Sequence, residues 1–147
     1  MAATRSATAI WQGNLLQGSG TVSSGTSSQL RDLPVSWSAR TEDPEGMTGP
    51  EELLAAAHAS CFSMALSNIL AKAGFTAERL EVTAEVRGDK LEPGWTVMSS
   101  HITVRGRVPG ADQATFADAA EQAKDGCPIS RALKGNVELT VDSTLES

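Results

Sequence analysis

Two cysteines are the residues of this chain best equipped to do chemistry. Cys61 lies inside the stretch Pro50-Glu-Glu-Leu-Leu-Ala-Ala-Ala-His-Ala-Ser-Cys-Phe-Ser-Met-Ala-Leu, which continues to Gly74, and Cys127 stands in Gly126-Cys-Pro-Ile-Ser130. A free cysteine is a small hydrophobe that is often buried with no role, and inert packing stays open on composition alone. Two details favour thiol redox chemistry. Cys127 is followed by Pro128, so its thiol falls at a helix start, where backbone N–H groups favour a thiolate. Cys61 has Ala57, Ser60 and Ala65 as neighbours, small side chains that leave room for a second group to approach. The two cysteines are 66 positions apart. They form no Cys-x-x-Cys motif, so any disulfide has to be made by the fold.

Other candidates are less specific. His58 precedes Cys61 by about one helical turn and shares its face. A His-x-x-Cys pair needs further ligands to hold zinc, and only His101 and Cys127 remain as soft donors. His58 therefore reads better as a hydrogen-bonded core histidine, and His101, mid-strand, as a solvated one. Glu51 and Glu52 fall in the first turn of the long helix, where favourable interaction with the helix dipole is enough to explain them. Arg40 reads as the end of a strand, just before the loop Glu42-Asp-Pro-Glu-Gly46. Trp11, Trp37 and Trp95 all fall on expected strands and suit core or interface packing. Gly18-x-Gly20 leads into no helix, so it is not a dinucleotide fingerprint.

The elements that must position these groups follow from spacing and punctuation. Strands are expected at 3–11, 15–22 and 29–38. A long helix follows, with Pro50 in its first turn, Thr48-x-x-Glu51 resembling a capping box and Gly74 as its stop. It is apolar or small on almost every face, so it should run through the centre of the fold. Leu80, Val82, Ala84 and Val86 alternate with Glu81, Thr83, Glu85 and Arg87, the pattern of a half-buried strand. Met98, Ser100, Ile102 and Val104 repeat it after a turn at Leu91-Glu-Pro-Gly94. A helix at 111–124, a short one from Cys127-Pro128 to Gly135 and a last strand through Val137, Leu139 and Val141 complete the order βββαββααβ. This is an α+β fold with mainly antiparallel pairing around a buried helix.

Composition narrows the function classes. With 147 residues the chain suits one domain, 1–147, large enough for a real core. Hydrophobic residues make up 40%, charged residues 20% and the net charge is -6, which suits a globular protein and argues against a nucleic-acid surface. The apolar stretch at 53–71 is interrupted by His58, Ser60, Ser63, Ser67 and Asn68, which argues against a membrane span. The N-terminus lacks the pattern of a secretory signal, and two cysteines are too few for a disulfide scaffold, so a cytoplasmic setting is expected.

The long-helix stretch, Ala73-Gly-Phe-Thr76, Ala123-Lys-Asp-Gly-Cys-Pro-Ile-Ser130, Ala9-Ile-Trp-Gln-Gly13 and Gly18-Ser-Gly-Thr-Val22 together resemble the osmotically inducible protein C (OsmC) family, over nearly the whole chain and in order. The related organic hydroperoxide resistance (Ohr) branch shares the cysteine pair. The place of Arg40, a short loop before the helix, looks more like the OsmC branch. Gly49 departs from the asparagine of many relatives. The resemblance implies an intertwined homodimer with antiparallel sheets wrapped around the central helix. It also implies a thiol peroxidase acting on organic hydroperoxides in preference to hydrogen peroxide. In that reading Cys61 is the peroxidatic cysteine and Cys127 the resolving one, with Arg40 and Glu51 the charged pair that stabilises the thiolate. An external dithiol, such as a lipoyl-type protein, would reopen the disulfide, with no metal or cofactor. A redox sensor and a non-catalytic stress binding protein are the alternatives. Glu51 and Cys61 are ten positions apart on one expected helix. That separates them by about 15 Å along the axis, so a shared site calls for Glu51, and with it Arg40, from a second chain.

Overall fold

The computed structural model describes residues 1–146, which divide into two units, Met1–Leu53 and Leu54 onward. In the first unit, β1 (Ala7–Gln12), β2 (Ser19–Ser24) and β3 (Leu33–Val35) form an antiparallel sheet in the order β1-β2-β3. The strand expected at 15–22 begins later because Asn14 closes a turn. Its side chain accepts from the Gln17 N–H at 2.8 Å and its carbonyl from the Gly18 N–H at 2.9 Å. The strand expected at 29–38 is cut to three residues and gives way to a short helix, α1 (Trp37–Thr41). Val35, Trp37 and Ala39 alternate with polar residues as a strand would. Ser36, however, caps the helix by accepting from the Ala39 N–H at 3.1 Å. Trp37 and Arg40 are therefore helical residues, not strand residues. Ala39 is the buried hydrophobic residue of this unit, whereas Ile10 is 62% exposed and Leu16 74%.

Helix α2 (Pro50–Lys72) starts at the expected proline, but not through the expected capping box. The Leu53 N–H bonds the Gly49 carbonyl at 3.0 Å, which puts Gly49 at the capping place, one residue after Thr48. The Thr48 hydroxyl instead donates to Glu52 at 2.7 Å, leaving Glu51 free to turn toward Arg40. The helix ends as its sequence says. Gly74, at φ +91°, donates to the Ala71 carbonyl and Phe75 to that of Leu70, the paired bonds of a Schellman ending.

In the second unit, β4 (Arg79–Leu91) and β5 (Gly94–Arg107) make a long antiparallel hairpin with Glu92 and Pro93 at its tip. A bulge falls between Arg87 and Gly88, where an added Cβ would lie 2.8 Å from the Trp95 ring nitrogen. Helices α3 (Gln113–Gly126) and α4 (Pro128–Leu133) lead to β6 (Glu138–Leu145). That connection returns β6 to the sheet parallel to β5, so one pairing departs from the antiparallel expectation. The core joins Phe62, Leu66 and Leu70 of α2 to Ile102 and Val104 of β5 and to Phe116, Ala120 and Ala123 of α3. Helix α2 is long and apolar enough to cross a membrane by length and composition alone, but here it is a core helix buried along one stripe, His58, Phe62, Leu66 and Leu70. Its burial is one-sided in the single chain, with Met64 on the open face 71% exposed.

Candidate active site

The four expected site residues form two pairs, one in each unit. In the first unit, the Arg40 guanidinium grips the Glu51 carboxylate. Nε donates to both oxygens at 3.1 Å and Nη2 to Oε1 at 2.9 Å. A fork of this kind fixes the plane of both groups. The guanidinium also lies over the Trp37 ring, 5.8 Å from its centroid. Helix α1 presents Arg40 in its last turn, and α2 presents Glu51 in its first. Beside the pair is a cleft of about 480 Å³ whose walls include Trp11, Leu15, Val35, Trp37 and Leu53, with Arg40 its charged member.

In the second unit, both cysteines are free thiols, Cys61 half-buried and Cys127 buried. Cys127 and the Ile129 backbone N–H lie near enough to Cys61 to shift the titration of its thiol. Burial pushes the Cys61 thiol above the ordinary thiol range. The Ile129 N–H pulls it back, the Cys127 thiol adds to the upward push, and the Arg131 charge lowers it. Cys127 is the N-cap of α4, its sulfur accepting from the Ser130 N–H at 3.3 Å. Pro128 in the first turn preorganises that start.

His58 is fully buried and hydrogen-bonded on both ring nitrogens, Nδ1 to Ser100 Oγ at 2.6 Å and Nε2 to Ser130 Oγ at 2.9 Å. The core-histidine reading holds, and burial lowers its pKa below the usual histidine value. His101 is half-buried at the sheet surface, with Nδ1 2.6 Å from Thr140 Oγ1 and Nε2 3.1 Å from Asp142. Sequence reasoning passed over Ser100, Ser130, Ile129 and Arg131. A signal for Ser100 was present, since it is the polar member of the inward row Met98, Ser100, Ile102 and Val104.

Residues 42–142 match the family model described as OsmC-like protein, and the chain belongs to the OsmC family. It is 43% identical over 139 residues, 95% of this chain and 94% of the relative, to a protein of Escherichia coli named peroxiredoxin OsmC. It is 28% identical over 113 residues, covering 76% of this chain and 77% of the relative, to the organic hydroperoxide resistance protein OhrA of Bacillus subtilis. The crystal structure of OhrB of Bacillus subtilis shares the fold, with a TM-score of 0.73 at 24% identity, covering 95% of this chain and 98% of that one.

Proposed function

We propose that this protein is a cysteine-based peroxidase of hydroperoxide defence. The observation that carries the reading is the Cys61–Cys127 pair, two free thiols near enough that Cys127 and the Ile129 backbone N–H both act on the Cys61 thiol. The names of the peroxiredoxin and hydroperoxide-resistance relatives support it. In this mechanism the Cys61 thiolate attacks one peroxide oxygen and the O–O bond breaks. The other oxygen leaves as alcohol or water, and Cys61 becomes a sulfenic acid. Cys127 condenses with it, water departs and a disulfide remains, which protects Cys61 from further oxidation. A dithiol, such as a lipoyl group, reopens the disulfide by exchange. The apolar cleft beside Arg40 favours organic hydroperoxides over hydrogen peroxide.

Residues 1–147 act in this reading as one domain, because the peroxiredoxin relative aligns over nearly its full length. The working unit is an intertwined homodimer with shared sites. The apolar and small residues of α2 extend to its open face, and unit 1 leaves Ile10 and Leu16 exposed, so both have surface for a second chain to cover. Along an unbroken helix the ten positions from Glu51 to Cys61 advance about 15 Å and turn their side chains roughly 80° apart. Glu51 and the Arg40 it holds therefore serve the Cys61 of the partner chain. There Arg40 offsets the burial that raises the thiol and stabilises charge on the leaving oxygen. The two free thiols suit a reducing cytoplasm.

The test is an anaerobic single-turnover mix of reduced protein with cumene hydroperoxide, followed by intact mass. Loss of two hydrogens as an internal disulfide is expected. Cys61→Ser should abolish peroxide consumption, and Cys127→Ser should stop after one turnover with a sulfenic acid on Cys61. A Cys61→Ser protein that keeps most of its rate refutes the assignment. Steady turnover with a dithiol separates an enzyme from a sensor.

A further inference from the structure

One buried titratable group lies outside the mechanism above. His58 sits at the centre of a continuous hydrogen-bonded chain. Ser100 Oγ is 2.6 Å from its Nδ1, Ser130 Oγ is 2.9 Å from its Nε2, and the same Ser130 oxygen is 3.3 Å from Cys127 Sγ. All four residues are buried, with relative exposures between 0 and 1%. The chain therefore ends on the sulfur that has to attack the sulfenic acid. A buried polar network costs stability unless every member is satisfied, and these members are satisfied by one another. A core that needed only volume at positions 58, 100 and 130 would be served as well by apolar residues.

We infer that His58 takes the proton of the resolving thiol through Ser130, which makes Cys127 nucleophilic at the moment the disulfide closes. This rests on the reading of Cys127 as the resolving cysteine. With Nδ1–H donating to Ser100, Nε2 accepts from the Ser130 hydroxyl, and the Ser130 oxygen accepts from the Cys127 S–H. All of these contacts are made with His58 neutral, the form that can receive a proton. During closure the Cys127 proton passes to Ser130 as the Ser130 proton passes to Nε2. The Cys127 thiolate sulfur then bonds to the Cys61 sulfenyl sulfur and the S–O bond breaks. The departing hydroxide leaves as water with the proton that His58 returns. Cys127 sulfur is oxidised by one electron equivalent and Cys61 sulfur reduced by one, and neither a metal nor a further oxidant is required. Ser130 also donates its N–H to Cys127 Sγ at 3.3 Å, so the sulfur keeps a backbone donor as negative charge forms on it.

The inference separates proton transfer from packing. His58→Gln keeps a polar side chain that can hydrogen-bond Ser130 and Ser100, but it cannot take a proton. The experiment follows single turnover with cumene hydroperoxide in two readouts, peroxide loss for sulfenic acid formation and dimedone trapping against disulfide for its closure. The ratio of closing to forming rates is expected to fall on the order of 10²-fold in His58→Gln. Ser130→Ala should produce a fall of the same size, and Ser130→Thr, which restores the hydroxyl, should recover most of it. A solvent deuterium isotope effect on closure should be present in wild type and reduced in His58→Gln. A His58→Gln ratio equal to wild type overturns the relay while leaving the peroxidase reading intact. A His58→Gln loss that Ser130→Ala does not share also overturns it. If wild-type protein forms no Cys61 sulfenic acid at all, the underlying reading and the relay fall together.

Discussion

Pairing two dead variants should restore a live enzyme, and the geometry fixes by how much. Cys61→Ser removes the sulfur proposed to attack the peroxide, and Glu51→Ala releases the guanidinium that three hydrogen bonds now hold. Within one chain, helix α2 keeps position 51 about 15 Å along its axis from position 61. A glutamate side chain cannot close that gap. If Glu51 serves the partner's Cys61, a mixed dimer has one defective site with both lesions and one intact site with neither. Random reassociation of equal amounts makes half the dimers mixed, and half the sites in those are sound, so activity should return to about one quarter of wild type. The two variants are unfolded together, refolded, and assayed for dithiol-dependent loss of cumene hydroperoxide, with native mass spectrometry counting mixed dimers. Each variant refolded alone should remain inactive. Confirmed mixed dimers with no recovered activity would refute the shared site.

Further expectations concern the cation, the core and the buried histidine. Arg40→Met should raise the pH midpoint of Cys61 alkylation by iodoacetamide and lower kcat/KM by about 10²-fold or more; superimposable alkylation profiles for the variant and wild type would count against it. Because the Arg40–Glu51 pair is only partly exposed, at 27% and 13%, the same change should cost about 1–2 kcal/mol of stability, measured by urea unfolding. Gly106→Ala should destabilise by about 2 kcal/mol, since its Cβ would lie 2.5 Å from Cζ of the fully buried Phe116 ring; an unchanged unfolding midpoint would contradict this. His58 has its pKa lowered by burial, so the unfolded chain takes up its proton first on acidification. Stability from this group is present above the unfolded value of about 6.5 and is lost as pH falls toward the lower folded value. His58→Gln should flatten that part of a Tm-against-pH curve, and equal slopes would show that other groups set it.

What the sequence made legible were features written in local chemistry. Pro50 and Gly74 mark the ends of α2 because one fits a first turn and the other a left-handed stop, and neither depends on distant partners. The alternation from Leu80 to Val86 gave the half-buried face of β4 for the same reason. Helix α1 was hidden because Val35, Trp37 and Ala39 fit a period of two over a stretch too short to show another period. The Ser36 cap was the countersign. The parallel return of β6 is a property of the connection through α3 and α4, not of residues 138–145. At the site, the cysteines stood out by rarity and flanking motif. Ser130 gave no such sign and Ser100 only its polar place in an inward row, because their role comes from being brought to opposite sides of one imidazole from positions 42 and 72 residues away.

The N-cap place of Cys127 has a consequence for energy storage. In the thiol form its sulfur accepts from the Ser130 N–H and so finishes the start of α4. In the proposed mechanism, disulfide closure would draw electron density away from that sulfur and so weaken the cap. A lost cap costs about 0.5–2 kcal/mol. The same energy raises the reduction potential of the disulfide by roughly 10–40 mV. Helix α4 would then act as a light spring, loaded by oxidation and released by the incoming dithiol. The oxidised protein would be the easier form to reset, and a redox titration of the Cys61–Cys127 couple against a dithiol buffer would read that tension as a raised potential.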